Sequence, residues 1–249
     1  MLENERQEEI LAVIKQKKYI KPKELSEALF VSLSTIRRDL IHLEKLGLIH
    51  KHHGQVSLFE NNEAAHELRE KNHNQEKNYI AKIASNYLEN GKTLFLDSST
   101  TTNALCPYIN EFSNLTIITN SLKNALDLSS NTANRVIVPG GTLKPFSVSL
   151  LGEKTSSFIQ EFNADLAFFS CKSFDLSGVY EEDFQQGYLK NNMIAHAKTA
   201  ILLSDMSKLY KKNFFTFSTY AAIDTIVLDQ KPDNKFIEMC SSNECELAW

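Results

Sequence analysis

A run of short polar side chains, residues 97–102, has the composition of an anion-binding turn. It contains Asp-Ser-Ser-Thr-Thr-Thr and directly follows four residues, 93–96, that are typical of a buried strand. If a helix begins within the run, its hydroxyls, free backbone N–H groups and helix dipole converge on one point, which favours a bound phosphate. The alternative is ordinary helix capping, which explains one or two of the hydroxyls but not five in succession.

A second stretch, residues 32–40, combines short hydroxyls with two guanidinium groups. Its apolar residues, Ile36 and Leu40, recur with helical spacing and define one face of a helix for which Ser32 is a good N-cap. Polar groups at the start of such a helix suit base edges and phosphates in the major groove of DNA. A solvated amphipathic helix with surface arginines is the alternative. The residues predicted to contact DNA from this stretch are Ser32, Ser34, Thr35, Arg37 and Arg38.

The residues before this helix must position it. Ile10 and Ile14 lie on one side of a first helix, and Pro22 fits the first position of a short second helix. Gly47 then ends the third helix, because the residue after a helix often adopts positive φ. Three short helices with a tight connection between the second and third predict a helix-turn-helix unit.

Residues 48–58 predict a two-stranded hairpin with a turn at 52–54. Such a wing would place Lys51 and one of two histidines, His52 or His53, against the DNA backbone beside the recognition helix. The alternative, a polar turn without contacts, is equally consistent with these residues. We take Lys51 and His53 as the predicted wing contacts.

Six short apolar runs separated by helical stretches predict a mostly parallel sheet covered on both faces. They are residues 93–96, 115–118, 135–138, 166–169, 200–203 and 225–228. Ligands of such sheets bind outside the carboxyl ends of the strands. Lys208 would add a point charge to the same anion, or is a solvated lysine. The candidate ligand-binding residues are those that follow the strands: Asp97, Ser98, Ser99, Thr100, Thr101, Thr119, Asn120, Gly140, Gly141, Lys172, Asp175 and Lys208.

Charge and cysteine usage narrow the class of protein. The 249 residues have a net charge of −4, but residues 1–58 contain ten Lys and Arg against eight Asp and Glu. A mildly basic N-terminal part, residues 1–58, followed by an acidic remainder is consistent with local contact between the N-terminal part and nucleic acid. The four cysteines form no CxxC pair and no zinc-spaced set with histidine, so we expect reduced thiols in a cytoplasmic protein without a metal or cofactor. The absence of a long apolar run predicts neither a membrane span nor a signal peptide.

Residues 32–40 (Ser-x-x-Thr-Ile-Arg-Arg-Asp-Leu), preceded by Arg6, Ile10 and Ile14 at four-residue steps, resemble the DNA-binding signature of the DeoR family of bacterial transcriptional repressors. Residues 69–72 and 76–81 resemble that family's entry to its C-terminal domain, whose fold is similar to ribose-5-phosphate isomerase and the coenzyme A transferases. The resemblance extends to about residue 229.

The sequence departs from the family pattern in two places. The wing tip has His53-Gly54-Gln55-Val56 where the family usually has His-Gly-Gly-Ala, which leaves the backbone path of the wing open. Ser170 and Ser173 stand where glycine is more common, so the ligand pocket is narrower or its loop is altered. Residues 234–249 match no pattern, and their structure is open.

The resemblance implies a winged helix-turn-helix domain (1–58), a linker (59–78) and an α/β effector-sensing domain (79–249). In that family the C-terminal domain binds a phosphorylated sugar or a related intermediate, which changes operator affinity. We expect a dimer or tetramer, because one helix-turn-helix contacts too little DNA for useful specificity.

An alternative from another class is a sugar-phosphate isomerase with an appended DNA-binding head. Asp97, Lys172 and Asp175 would then supply acid–base chemistry. No extended carboxylate-rich isomerase motif is present, so we expect no catalytic residues. The sequence leaves open the sugar, the operator and the choice between repression and activation.

Overall fold

A computed structural model describes residues 3–52, 54–58, 66–145 and 147–249, and the chain divides into two compact units between Lys71 and Asn72. This division lies inside the stretch predicted as a linker, 59–78. Within that stretch the structure has one short helix and the start of a second. Residues 59–65 lie outside the described residues.

The first unit combines helices with a three-stranded antiparallel sheet in the order β1-β3-β2. The predicted helix-turn-helix and hairpin are confirmed. β1 was not predicted, because two residues are too few to show an alternating pattern. The elements are α1 (Glu3–Lys17), β1 (Tyr19–Ile20), α2 (Pro22–Ala28), α3 (Leu33–Lys45), β2 (Ile49–His52), β3 (Gln55–Leu58) and α4 (His66–Lys71).

Local signals in the sequence fix the ends of α3. The Ser32 hydroxyl accepts the backbone N–H of Thr35 at 3.2 Å, and Gly47 has φ of +68°, as its place after the helix requires. The apolar face of α3 packs into a core shared by all three helices and the sheet. The fully buried members of this core are Ile10, Ile14, Ile20, Leu25, Ile36, Leu40, Leu43, Ile49 and Val56.

The second unit is built on a seven-stranded sheet, ordered β15-β14-β12-β9-β4-β5-β6, in which every neighbouring pair is parallel. The six predicted strands are confirmed. Their bounds are β4 (Thr93–Leu96), β5 (Thr116–Thr119), β6 (Arg135–Ile137), β9 (Ala164–Phe169), β12 (Ala197–Ser204) and β14 (Thr225–Leu228).

The seventh strand, β15 (Glu246–Ala248), lies at one edge of the sheet in the stretch whose structure the sequence left open. Smaller strands form a hairpin and a three-stranded antiparallel sheet beside the main one. These are β7 (Thr142–Lys144), β8 (Ser149–Leu151), β10 (Ser173–Asp175), β11 (Gly178–Glu181) and β13 (Phe215–Ser218).

Helices cover both faces of the parallel sheet, as the continuously apolar strands predicted. Alternate side chains of β4 enter different cores: Leu94 and Leu96 pack in one cluster with Ile80, and Phe95 packs in another with Met193. None of the described helices is long and apolar enough to cross a membrane. The helices of this unit are α5 (Asn74–Ala84), α6 (Thr100–Asn103), α7 (Cys106–Ile109), α8 (Leu122–Leu128), α9 (Glu153–Gln160), α10 (Phe184–Ala195) and α11 (Asn234–Ser242).

Candidate functional site

The first turns of α3 present hydroxyls and guanidinium groups to solvent. The Ser32 Oγ lies 2.9 Å from the Ser34 Oγ and 2.8 Å from the Thr35 Oγ1, so the three hydroxyls form one cluster. Arg37 and Arg38 are exposed, and neither forms an ion pair within the part of the chain that the structure describes. The two guanidinium groups are therefore available to an external partner.

The opposite side of α3 contains a buried charge that the sequence reasoning did not assign. Asp39 is fully buried, and its two carboxylate oxygens accept hydrogen bonds from Arg6 Nε at 2.5 Å and Arg6 Nη2 at 3.0 Å. This two-pronged pair joins α1 to α3 and so positions the helix that carries the exposed arginines. The signal was present in the sequence, because Asp39 falls beside Leu40 and Leu43 rather than on the polar face.

The predicted wing contacts are only partly described. Lys51 on β2 forms a half-exposed ion pair with Glu44 on α3, at 2.8 Å between Lys51 Nζ and Glu44 Oε2. This pair ties the wing to the helix. His53 lies outside the described residues, so the contacts of Lys51 and His53 with DNA stay predictions.

In the second unit, Asp97 stands at the carboxyl end of β4 as a buried acceptor of four hydrogen bonds or ion pairs. Its Oδ1 accepts the Ser99 N–H at 2.9 Å and the Thr102 hydroxyl at 2.7 Å, and its Oδ2 accepts the Ser170 N–H at 3.1 Å. Lys190 Nζ lies 3.2 Å from the same Oδ2. Since both oxygens are engaged by the protein, Asp97 is placed to hold the turn in position rather than to bind a ligand directly.

Electrostatics agree with this role for Asp97. Burial by itself raises the pKa of the Asp97 carboxyl, but the Lys190 ammonium and the N–H groups of Ser99 and Ser170 outweigh it and hold the pKa below its usual value of 3.8. The carboxylate is therefore charged at neutral pH.

Lys190 on α10 is the principal residue of this site that the sequence reasoning missed. Its ammonium is buried, donates to the Ser170 carbonyl at 2.8 Å, and contacts both Asp97 and Glu181. Burial lowers the pKa of Lys190, but the two carboxylates outweigh it and raise the pKa above its usual value. The helical spacing indicated that Lys190 is buried, since it lies three residues before Met193 and four before Ile194, on the same face of α10.

The run of residues 97–102, here called the Ser/Thr turn, contains a helix start, as predicted, and the Ser170 hydroxyl connects it to Lys208. Ser99 caps the short α6 by accepting the Thr102 N–H at 3.2 Å. The Ser170 hydroxyl lies 3.4 Å from the Thr101 hydroxyl and accepts from Lys208 Nζ at 3.1 Å. Lys208 also pairs with Asp205 at 3.6 Å and keeps 21% of its side chain exposed. A cation, two hydroxyls and a helix start thus lie together at the ends of three strands.

Two further predicted residues, Thr119 and Asn120, follow the neighbouring strand β5. The Thr119 hydroxyl accepts the N–H of Ser121, so it closes the turn into α8. The Asn120 side chain contacts the Ser/Thr turn, with 3.4 Å between its Nδ2 and the Ser98 Oγ. The structure therefore brings Asn120 and Ser98 together.

Four further predicted residues make contacts within the protein that do not involve the Ser/Thr turn. The Gly140 carbonyl accepts the Thr155 hydroxyl. A Cβ at Gly141 would lie 2.8 Å from the Leu151 carbonyl oxygen, so packing accounts for the glycine at position 141. Lys172 forms an ion pair with Glu182 at 2.7 Å. Asp175 accepts the Tyr180 hydroxyl at 2.7 Å. The contacts of Lys172 with Glu182 and of Asp175 with Tyr180 thus lie at the β10–β11 hairpin rather than at the Ser/Thr turn.

Within the described part of the chain, no group of three His, Cys, Asp or Glu side chains is arranged to hold a metal ion. The four cysteines are buried and free. Burial raises the pKa of the Cys171 thiol to about 11, so this thiol is protonated at neutral pH.

Two family models match the two units. Residues 6–62 match the DeoR-like helix-turn-helix domain, and residues 72–230 match the DeoR C terminal sensor domain. The chain belongs to the DeoR family of transcriptional regulators. The resemblance in residues 32–40 is thereby confirmed.

Curated DeoR relatives cover nearly the whole chain. The chain is 30% identical to the glycerol-3-phosphate regulon repressor of Escherichia coli, over 99% of both proteins. It is 32% identical to the lactose phosphotransferase system repressor of Streptococcus mutans, over 98% of this chain and 99% of the relative. It is also 32% identical to the transcriptional repressor CsqR of E. coli, over 92% and 88%. These relatives are regulators of transcription rather than enzymes.

Solved structures match the chain more weakly. A D-ribose-5-phosphate isomerase in complex with phospho-erythronic acid has a TM-score of 0.41 and 16% identity, covering 55% of this chain and 54% of the isomerase. RipA of Yersinia pestis has a TM-score of 0.45 and 12% identity, covering 62% and 43%. The matched part thus spans about half of each of those proteins, and a likeness of this size carries no functional conclusion.

Proposed function

We propose that this DeoR-family chain represses genes of sugar catabolism, and that a phosphorylated sugar or related metabolite controls its operator affinity by binding at the carboxyl ends of the sheet. Matches to both DeoR domain models support a DNA-binding role for the first unit and a ligand-binding role for the second. Two relatives are named as repressors of a glycerol-3-phosphate regulon and of a lactose phosphotransferase system, which supports a phosphorylated ligand.

For the DNA-binding half, we assign base and phosphate contacts to the exposed face of α3 and to the wing. Arg37 and Arg38 are the principal contacts, because an exposed guanidinium fork can bind a guanine edge or a phosphate through two hydrogen bonds. We propose that the protein acts as a homo-oligomer, dimer or tetramer, that aligns two such helices on paired half-sites. The DNA-contacting set is Ser32, Ser34, Thr35, Arg37, Arg38, Lys51 and His53.

For the sensor half, the observation that carries the proposal is the contact of Lys208 Nζ with the Ser170 hydroxyl, 3.1 Å away, beside the Thr101 hydroxyl. An ammonium next to hydroxyls at a helix start is suited to a phosphate, since it supplies both charge and donors. The proposed ligand contacts are Ser98, Ser99, Thr100, Thr101, Asn120 and Lys208. Asp97 and Thr119 hold the two turns.

The experiment is a thermal-shift screen of phosphorylated sugars on the full chain, followed by operator titrations with the ligand that stabilises it. A ligand at a hundred times its Kd stabilises the folded state by about 2.7 kcal/mol. Lys208→Met and Thr101→Val should lose this stabilisation together with the change in operator affinity. Lys212→Met, which removes an exposed lysine nearby in sequence, is the control and should respond fully. Full response in both site variants would refute the assignment of the phosphate site.

A further inference from the structure

Asn120 contains a buried acceptor for which the described part of the chain supplies no donor. The residue is 2% exposed, and its Oδ1 has no hydrogen-bond partner among the described residues. A buried polar atom without a partner is costly, because it has lost its hydrogen bonds to water and gained none in return. Such an atom in a folded protein calls for an explanation, and a bound ligand is one.

The surroundings fix which end of the Asn120 amide carries the oxygen. Nδ2 lies 3.2 Å from the carbonyl oxygen of Leu150, which can only accept a hydrogen bond. The nitrogen must therefore face Leu150, because a flip of the amide would place the Asn120 oxygen against the Leu150 oxygen, and both are acceptors. The backbone is fixed as well, since the Asn120 carbonyl accepts the Leu150 N–H at 2.8 Å. The unpartnered atom is thus an oxygen on a rigid support.

This oxygen lies at the edge of the sheet where the proposed phosphate site is. Asn120 follows β5, and its Nδ2 is 3.4 Å from the Ser98 hydroxyl of the Ser/Thr turn. A phosphate at neutral pH offers almost only acceptors, so it cannot satisfy a carbonyl oxygen. A hydroxyl of the same ligand can, because an O–H group donates.

We propose that Asn120 is a specificity-determining residue of the effector site, whose Oδ1 accepts a hydrogen bond from a hydroxyl that the ligand carries close to its phosphate. The inference rests on the proposed phosphate site and goes beyond it, since it assigns the neutral part of the ligand to a separate residue. Lys208 and the Ser/Thr turn bind the charge, and Asn120 distinguishes a phosphorylated polyol or sugar from inorganic phosphate and from alkyl phosphates.

The test is a binding comparison on the full chain with pairs of ligands that differ in their hydroxyls. The pairs are glycerol 3-phosphate with propyl phosphate, ribose 5-phosphate with pentyl phosphate, and fructose 6-phosphate with hexyl phosphate. The wild type should bind the hydroxylated member of at least one pair about tenfold more tightly, as one hydrogen bond to a buried acceptor allows. In Asn120→Ala the ratio within that pair should fall towards one. Asn120→Ser, whose hydroxyl can donate to Leu150, serves if the alanine variant does not fold.

Asn110→Ala is the matched control. Its Oδ1 is also without a partner among the described residues, but the amide contacts the Asp127 carbonyl in the last turn of α8, at the opposite end of that helix from Ser121. The control should keep the wild-type ratio.

Each result has a distinct meaning. Equal affinities within every pair, or a ratio that survives in both Asn120 variants, would overturn the role of Asn120 and indicate a buried water at Oδ1, while the phosphate site would stand. If no phosphorylated compound bound at all, the proposed phosphate site would fail, and the inference with it.

Discussion

The face of α3 and the strand-end site of the second unit use similar side chains in opposite ways. On α3, two arginines and short hydroxyls are exposed, and Arg37 and Arg38 have no ion pair in the described residues. At the strand ends, Asp97 and Lys190 are buried and bonded to each other and to their neighbours. The face of α3 leaves its guanidinium groups available to an outside partner. The strand-end site uses most of its polar groups in hydrogen bonds and ion pairs within the protein.

The difference shows why the two regions should respond differently to mutation. Removing an exposed group deletes a contact with a partner but leaves little unsatisfied in the folded chain. Removing a member of a buried network leaves another charge without compensation, which costs far more. The first unit also contains a buried charged pair, Arg6 with Asp39, which supports the exposed face of α3 from behind.

The largest effect is expected at Lys190. Lys190→Met keeps most of the apolar stem of the side chain but leaves the buried carboxylates of Asp97 and Glu181 without their shared cation, so it should destabilise the second unit by about 3–5 kcal/mol. Urea unfolding of the full chain measures this loss. Lys198→Met is the control, because Lys198 is 79% exposed in its ion pair with Asp165 and should change stability by less than about 0.5 kcal/mol. Equal, small losses in both variants would remove the contrast between buried and exposed charges.

A smaller loss is expected from Asp39→Asn in the first unit. The change keeps the shape of the side chain but removes the charge opposite Arg6, whose side chain retains 11% exposure and can recover some hydration. We expect a cost of about 2–3 kcal/mol in the stability of the first unit, with the second unit unaffected. Unfolding followed by a probe in each unit separates the two. A variant with weakened operator binding and unchanged stability would instead make Asp39 part of the DNA-binding surface.

The next largest effect is expected from Gly141→Ala, which tests whether position 141 requires glycine for packing or for contact with a ligand. The added Cβ would lie 2.8 Å from the Leu151 carbonyl oxygen, so the hairpin must shift at a cost of about 1–3 kcal/mol. Gly140→Ala is the matched control, since a Cβ there would meet nothing within 4 Å. Thermal unfolding compares the two. If Gly141→Ala kept its stability but lost ligand binding, the sequence prediction of a ligand contact at Gly141 would be supported.

The smallest effect on folding, close to zero, is expected from Arg37→Ala and Arg38→Ala. Each should weaken operator binding by about 1–3 kcal/mol, because each removes donors for a base or phosphate and no internal bond. Footprinting at fixed salt concentration measures the affinity, and circular dichroism checks the fold. Lys45→Ala at the other end of α3 should have little effect on specific binding. Unchanged operator affinity in both arginine variants would refute the assignment of this face to DNA.

Much of the architecture could be predicted because it is written in local patterns. The N-cap at Ser32, the stop at Gly47 and the six apolar strands each depend on a few adjacent residues, and the structure has all of them. The β15 strand was left open for the converse reason, since one exposed and two half-buried residues at a sheet edge form no apolar run of their own.

The sequence by itself determined the two-part fold, the family and the exposed chemistry of α3, since helical and strand periodicities and a compact signature are properties of neighbouring residues. Only the tertiary structure decided which strand-end residues meet. Asp97 and Lys190 are 93 positions apart, and their pairing follows from packing α10 against the sheet. The pairing of β10 with β11 likewise placed Lys172 against Glu182 and Asp175 against Tyr180. Which residues meet depends on how whole elements are placed, and spacing along the chain does not encode that placement.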